Sequence, residues 1–432
     1  MLKTDDMSMI ELIGVSGNVL DDGVRETIAR CHAVVASGRH VPLVEDLCER
    51  IIPIAPVQTM LERLAGELAL GPVTVLASGD PLFFGIGRTL LGRFGPDRLH
   101  IRPALSAMQL ACARFKTPWD DMAFLSLHGR EMDTLAGRVL VCLRHTAHGK
   151  VMLFTDQHNS PDRIAALLLQ TLEEYGAMEL ARTIRVQVGE NLGLKDERLV
   201  EGDLARIAGL TFAPLNMMLI SRESEAVFGP VLGLNEEELV HSRGLITKNE
   251  VRAVTLHTLR LPPSGVFWDV GGGSGSVSIE AARMCPALAV FCVEAKGEQQ
   301  ENIRANIRGH QAWNVRLVSG LAPAILSGLP DPERIFVGGS RGRLKEIIDI
   351  CARRLKPGGR LVVNAVLART AEQAPKYMLR HGLSVQVTRI GVSRWQETGE
   401  EQECVEDRQC VVDRRQPRQT TINPITIICG TK

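Results

Sequence analysis

The chain predicts an α/β protein of two domains, and three observations carry that prediction. It is 432 residues long, more than one ordinary core encloses. Short apolar runs alternate with amphipathic stretches, the pattern of a mainly parallel sheet covered by helices. The alternation breaks once, in SRESEAVFGPVLGLNEEEL from Ser221 to Leu239, where charges, Gly and Pro replace any period. Domains are therefore expected over 8–222 and 239–432, joined by a linker at 223–238.

In the first half the runs at Met9–Val15, Ala33–Ala36, Val73–Ala77, Phe124–Leu127, Arg138–Leu143, Arg185–Val188 and Met217–Ile220 read as strands. Helices are expected at Gly23–Cys31, Phe84–Arg93 and Pro161–Tyr175, the last with proline at its start, where a missing N–H does no harm. In the second half, helices Lys248–Leu259, Ser276–Arg283 and Glu298–Gly309 alternate with strands Val266–Val270, Ala289–Val293, Arg316–Ser319, Ile335–Val337 and Arg360–Asn364. Arg408–Ile428 reads as extended, a source of antiparallel strands at the sheet edge, and the acidic Gly399–Glu406 as a solvated loop.

Composition excludes several classes. Lysine plus arginine equals aspartate plus glutamate at 50 each, so the basic surplus of a nucleic-acid binder is absent. Aromatics are 4% of the chain, so a stacking platform for bases would have to be built from very few side chains. The start, MLKTDDMSMIELIGV, is acidic where a signal peptide is basic, and no run approaches the roughly 20 apolar residues of a membrane span. The ten cysteines include no CxxC pair. The expectation is a cytoplasmic protein with reduced thiols and no metal site.

The most informative segment is VFWDVGGGSGSVSIEAA, Val266–Ala282. A strand ends at Asp269, glycines follow at 271, 272, 273 and 275 around Ser274, and a helix begins near Ser276. Glycine lets backbone approach a ligand closely, and the helix start offers unpaired N–H groups. Such a loop at a strand's carboxyl end is a nucleotide-type site. The dinucleotide fingerprint needs a glycine five residues after the first. Counted from Gly271 or Gly273, that place holds Ser276 or Ser278. The pattern D-x-G-x-G-x-G instead resembles that of Rossmann-like, class I methyltransferases using S-adenosylmethionine (SAM). Glu294, ending the next strand in VFCVEA, is placed to accept both ribose hydroxyls. Gly320, Leu321 and Ala322, in LVSGLAPAIL, stand where that class contacts adenine. No Asn-Pro-Pro-Tyr type motif follows; RIFVGGSRGR takes its place.

The first half carries VLASGDPLFFGIG, Val75–Gly87, a strand delivering Gly-Asp-Pro into a turn. ASGDPLFFG resembles the central motif of the tetrapyrrole methylase family, SAM-dependent C-methyltransferases with two α/β subdomains. LIGVSG, ending at Gly17, stands where that family has G-x-G-P-G, and departs from it with Ser16 and no proline. PALSAMQLACARF, FLSLHGR, VGENLGLKDERLVEG and FAPLNMMLI are similar to the branch methylating precorrin-6Y at C5. GLITKNEVRAVTL, DVGGGSG, FVGGSRG and VVNAV resemble its C15-methylating partner. The ordered set therefore resembles the fused, decarboxylating C5,15-methyltransferase family of corrin synthesis.

That resemblance implies a tetrapyrrole methylase fold followed by a Rossmann-like domain, SAM as cofactor, and precorrin-6B or its cobalt form as substrate. It also implies a homo-oligomer without nucleic-acid or membrane partners. Cofactor contacts are implied at Gly79, Asp80, Pro81, Ser106, Ala107 and Thr247, beside Asp269, the 271–275 loop, Glu294 and 320–322. Tetrapyrrole meso carbons are enamine-like, so no strong base is needed, and no catalytic dyad is evident. Asp80, His128 and Arg341 are the candidates nearest the chemistry, and Arg341 or Arg343 is placed to orient substrate carboxylates.

The same residues have plainer readings. Asp80 serves as a helix cap, His128 as a core histidine, and Thr247 as an N-cap with Glu250 as its capping-box partner. Lys248 reads as a solvated lysine and Met217–Met218 as core. The rival functions are an RNA methyltransferase with an accessory domain, an NAD(P) oxidoreductase, and a non-catalytic SAM or tetrapyrrole binder.

Overall fold

The computed structural model describes residues 9–127, 134–145, 149–222, 231–396 and 418–432. Two compact units emerge. Met1–Met132, His145–Gln170 and Met178–Ala226 form the first; Asp133–Arg144, Thr171–Ala177 and Val227–Lys432 form the second. Among the described residues no helix is long and apolar enough to cross a membrane.

The first unit opens with strands β1 (Ile10–Val15), β2 (Ala33–Ala36), β3 (Ile51–Pro53), β4 (Val73–Ser78) and β5 (Leu99–Arg102). They form a parallel sheet in the order β3-β2-β4-β1-β5. Its strands are apolar on both faces, as a parallel sheet covered by helices requires. Leu12, Val35 and Val75 feed one core; the adjacent Ile13, Val34 and Leu76 feed another on the opposite face. That split is the two-residue period of a strand.

A second sheet follows from β6 (Ala123–Ser126), β7 (Lys150–Phe154), β8 (Ile184–Glu190), β9 (Arg198–Gly202) and β10 (Asn216–Arg222), ordered β6-β7-β10-β8-β9. Only β6 and β7 are parallel neighbours. Met217 and Met218 on β10 are core, as expected. The expected strand Arg138–Leu143 is instead within the helix Leu135–His145. Of its six buried residues, Leu135, Ala136, Val139, Leu140 and Leu143 follow helical spacing and Val141 is buried beside them. A short apolar run rich in valine does not separate strand from buried helix by composition.

The second unit is a seven-stranded sheet of β11 (Ser264–Val270), β12 (Ala287–Glu294), β13 (Val315–Ser319), β14 (Arg334–Val337), β15 (Arg360–Ala365), β16 (Ser384–Gln396) and β17 (Arg418–Thr431). The order is β13-β12-β11-β14-β15-β17-β16, the first five parallel and β17 antiparallel to both its neighbours. The described part of the expected extended segment, from Arg418 on, is an inner strand, with β16 outside it at the edge. The acidic Gly399–Glu406 lies outside the described residues.

Residues 233–248 strap across the helices of this unit. The Glu280 carboxylate accepts the Gly233 and Leu234 N–H groups, and Asn306 holds Val240 from both its amide atoms. Arg252 pairs with Glu280 and donates to the Leu234 and Thr247 carbonyls. Residues 233–238, read from sequence as linker, are therefore anchored in the second unit. The following helix is Asn249–Leu259, with Lys248 at its N-cap and no side-chain cap. The Thr247–Glu250 capping box does not form, because Glu250 is turned to Arg394, 2.7 Å away. Lys248 is not simply solvated: it lies 2.5 Å from Glu236.

Candidate functional sites

In the second unit, β11 delivers Asp269 fully buried opposite Cys292 of β12 and Phe336 of β14. The glycine loop then folds over β12, the Gly271 and Gly272 N–H groups both donating to the Val293 carbonyl at 2.9 and 3.1 Å. Gly271, Gly273 and Gly275 take positive φ of 73°, 58° and 77°, conformations that favour glycine. A Cβ on Gly271 would lie 2.5 Å from the Gly339 carbonyl oxygen, and one on Gly272 2.3 Å from the Cys292 sulfur. The helix Ser276–Met284 starts at Gly275 without a side-chain cap, the kind of open helix start that binds ligands.

Two carboxylates flank the loop. Glu294 accepts the Ala295 and Lys296 N–H groups on Oε1 (2.8 and 2.9 Å) and the Gly273 N–H on Oε2 (3.0 Å). Three of a carboxylate's roughly four acceptor positions are thus filled. Glu294 shapes the glycine loop as well as facing it, a role the sequence did not reveal. Asp269 accepts the Ser278 hydroxyl on Oδ2 at 2.6 Å, while its buried Oδ1 has no partner. Burial pushes the Asp269 carboxyl up to about 6; the Ser278 hydroxyl opposes that shift and the Glu294 charge adds to it.

A carboxyl raised in the folded state favours folding while protonated. That stability is fully present below about pH 4 and is lost as pH rises through about 6. Asp269→Asn is therefore expected to stabilise the ligand-free second unit near neutral pH by up to about 3 kcal/mol. The gain should shrink towards pH ~4, where the parent carboxyl is itself neutral. Hydrogen exchange of the Ser276–Met284 amides across that range measures it; an equal effect at both ends would contradict the buried charge.

The other expected positions surround this loop in sequence order. The Gly320 N–H donates to the Glu294 carbonyl (3.0 Å), Ala322 is buried and Leu321 is exposed. The buried Ser274 gives its carbonyl to Asn306 (2.9 Å). Arg341 and Arg343 are exposed in the loop after β14, Arg341 with φ 47°. Thr247 is half-buried in the strap.

In the first unit, the loops at the carboxyl ends of β1 and β4 bound a cleft of about 760 Å³. Gly14 is packed so closely that a Cβ would sit 2.1 Å from the Gly79 carbonyl oxygen and 2.5 Å from the Ala104 nitrogen. Gly79 has φ 63°, and its Cβ would meet Ser106 Cα at 2.6 Å. Gly79, Ser106 and Ala107 line the cleft. Ser106 also caps the helix Ala107–Phe115 in a capping box with Gln109. Asp80 and Pro81 shape the turn instead: Asp80 Oδ1 accepts the Leu82 N–H at 2.8 Å, and Gly85 and Gly87 pack on Pro81. Asp80 caps no helix, because the helix begins later than expected, at Gly87. His128 lies outside the described residues.

Sequence reasoning missed the aromatic lining of this cleft. Phe84, Phe83 and Phe154 form an aromatic cluster, with Phe84–Phe154 centroids 4.9 Å apart and Phe124 against Phe83 at 5.3 Å. Arg39 and His40, after β2, line the same cleft. The available signal was the rule that parallel sheets bind ligands beyond their strands' carboxyl ends, which applies to β2 as it does to β4.

Fold and sites define the class: a methyltransferase chain in which a tetrapyrrole methylase domain precedes a Rossmann-like methyltransferase domain. Residues 23–208 match the model of the tetrapyrrole (corrin/porphyrin) methylases, and residues 238–412 that of the precorrin methyltransferase domain. A Sinorhizobium precorrin-6Y C(5,15)-methyltransferase [decarboxylating] is 33% identical over 357 residues, 82% of this chain and 82% of its own. A probable cobalt-precorrin-6B C(15)-methyltransferase (decarboxylating) of Sulfolobus acidocaldarius is 30% identical, over 47% of this chain and 98% of its own. The crystal structure of a Geobacter metallireducens precorrin-6Y C5,15-methyltransferase is 39% identical with a TM-score of 0.42, covering 47% of this chain and 98% of that one. The chain belongs to the precorrin-6Y C5,15-methyltransferase (decarboxylating) family, and enzymes of these methyltransferase families use SAM.

The residues present fit that cofactor. Asp269 holds an orphaned buried acceptor suited to a ligand's donor, Glu294 retains one acceptor position, and the glycine loop opens at Gly273, where a Cβ would stand in open space with no protein atom within 4 Å.

Proposed function

We propose that this chain methylates precorrin-6B, or its cobalt form, at C5 in the first unit and at C15 in the second. The second step is accompanied by release of the ring C acetate carboxyl as CO₂. The observation that carries this reading is two separate glycine-built strand-end sites, on two different α/β folds, in one chain. The family's order of domains supports it. The corresponding assignment is residues 8–222 for C5, 239–432 for C15 and 223–238 for the connection. We place the enzyme in the cytoplasm as a homo-oligomer without a nucleic-acid partner.

Bound SAM supplies an electrophilic sulfonium methyl, so the chain's task is alignment with the nucleophilic carbon. In the second unit Asp269, the 271–275 loop, Glu294 and 320–322 hold the cofactor, with Thr247 at the strap; in the first, Gly79, Ser106 and Ala107 do so, on the turn built by Asp80 and Pro81. Asp269 is largely ionised above about pH 6 and then favours a cationic donor beside it. Arg341 or Arg343 orients a substrate carboxylate. As the acetate C–C bond breaks, its electron pair passes into the conjugated macrocycle, and a dry surround around the carboxylate favours CO₂ loss.

Incubating the full chain with precorrin-6B and SAM, followed by mass spectrometry, tests this. Two methyl groups gained and one CO₂ lost are expected. Asp269→Ala should retain the C5 methyl and lose both C15 methylation and decarboxylation. No mass change with either the metal-free or the cobalt substrate, while SAM binds, would end the corrin assignment.

A further inference from the structure

The cleft of the first unit is sparsely charged. Among its described lining residues Arg39 is the only arginine or lysine, and Asp156 the only carboxylate. Asp156 is committed elsewhere: its Oδ1 accepts the His158 and Asn159 N–H groups (2.8 and 2.7 Å), and both oxygens meet the Asn159 amide. The Arg39 guanidinium donates to the hydroxyl of Ser78, one residue before the Gly79 turn, and meets no carboxylate among the described residues. The neighbouring His40 is 4% exposed, and its Nδ1 has no partner. Burial and the Arg39 charge lower it to about 4, so it adds no second cation at neutral pH.

In the same cleft, Phe84 leaves half its surface open beside Phe154 and is held at φ 55°, a conformation uncommon for a bulky residue. An exposed flat ring and one unpaired guanidinium in a single cleft fit a flat, conjugated ligand edged with carboxylates. A neutral ligand would leave Arg39 partly desolvated without a counter-charge.

We infer that Arg39 is a specificity-determining residue of the first site, taking one peripheral carboxylate of the macrocycle in a charge-assisted pair while the Phe84–Phe154 wall carries the conjugated plane. The inference rests on the proposed C5 methylation. Because Arg39 also touches Ser78, its pairing with substrate is coupled to the Gly79 turn.

The test uses the full chain with precorrin-6B and its fully esterified derivative, scoring C5 and C15 methylation separately by mass and NMR. Arg39→Gln is expected to raise KM for precorrin-6B at C5 by about tenfold to a hundredfold, with kcat changed less than about threefold. Arg39→Lys should recover part of the loss, and C15 methylation in the same variant should not change. The unmutated chain should show a similar KM increase with the ester. Parent and Arg39→Gln should then differ by less than about twofold on the ester, as expected when both changes remove one contact. An unchanged KM in Arg39→Gln, or an equal variant penalty on acid and ester, overturns the inference. If Arg39→Gln misfolds in the first unit, shown by loss of SAM binding there, Arg39→Lys on acid and ester decides, an equal penalty on both overturning the inference. Absence of C5 methylation in the parent, with SAM bound, overturns the functional reading and this inference with it.

Discussion

Arg252→Met is expected to destabilise the second unit by about 3–5 kcal/mol, because it leaves the Glu280 charge buried without its counter-ion. Both side chains are almost wholly enclosed, at 1% and 2% exposure. Glu280 would keep the Gly233 and Leu234 N–H groups, but neutral donors do not replace a guanidinium. Arg252 also donates to the Leu234 and Thr247 carbonyls, so the strap loses anchors at both ends. Domains are stable by only about 5–15 kcal/mol, so urea unfolding should show a large fall in midpoint for this unit. Replacing both partners with apolar residues should recover only part of the loss, since the N–H of the buried Leu234 would then be unpaired. A change below about 1 kcal/mol would mean the pair is not what holds the strap.

The strap has a second set of ties that this substitution leaves in place. Burial alone would raise the Glu236 carboxyl, but the cations of Lys248 and Arg394 outweigh it and hold it below its usual range. Arg394 binds Glu250 and Glu236 together at 2.7 and 2.9 Å, joining β16 to the start of the Asn249–Leu259 helix. Residual structure in the strap of Arg252→Met is expected around this cluster.

None of this network was legible in the sequence. Glu280 lies in SVSIEAAR as one acid among small and apolar residues, and nothing local names Arg252 as its partner 28 positions away. The glycine loop was legible because its chemistry is local: strand, turn and helix start within a dozen residues. The same holds for the Gly-Asp-Pro turn, although the division of labour within it, Gly79 lining and Asp80 shaping, needed coordinates. Strands β1, β2 and β4 of the first sheet and β11 to β15 of the seven-stranded sheet were found where apolar runs are bounded by turns, whereas the edge strands β3, β5 and β16 were not. Leu135–His145 failed that reading because the run GRVLVCL satisfies strand and helix templates alike, and only its partners decide. Arg39 was passed over for a different reason. Its significance comes from Phe84, Ser78 and Asp156 converging on one cleft, which no spacing within the chain encodes.

Gly272→Ala is expected to weaken SAM binding and C15 methylation in the second unit by about tenfold to a hundredfold, and Cys292→Ala is expected to restore most of that loss. The added Cβ would lie 2.3 Å from the Cys292 sulfur, while the next nearest atom, Asp269 Oδ2, is at 3.7 Å. Gly272 has no positive φ, so the sulfur is the whole obstacle. Cys292 is fully buried on β12 and cannot swing out, which places the clash in the range of about 1–3 kcal/mol seen for overpacked cores. Removing the sulfur opens the volume the new methyl fills. Cys292→Ala alone should therefore act only mildly, and the double variant should return to within about threefold of the parent, a coupling typical of contacting residues. Gly271→Ala supplies the contrast. Its Cβ meets the Gly339 backbone at 2.5 Å and its φ is 73°, so no single side-chain change can relieve it. If the double variant stayed as impaired as Gly272→Ala, the glycine at 272 would be required by the ligand itself. Isothermal titration with SAM and single-turnover C15 methylation separate these outcomes, because a steric requirement internal to the protein disappears in the double variant and a requirement set by the ligand does not.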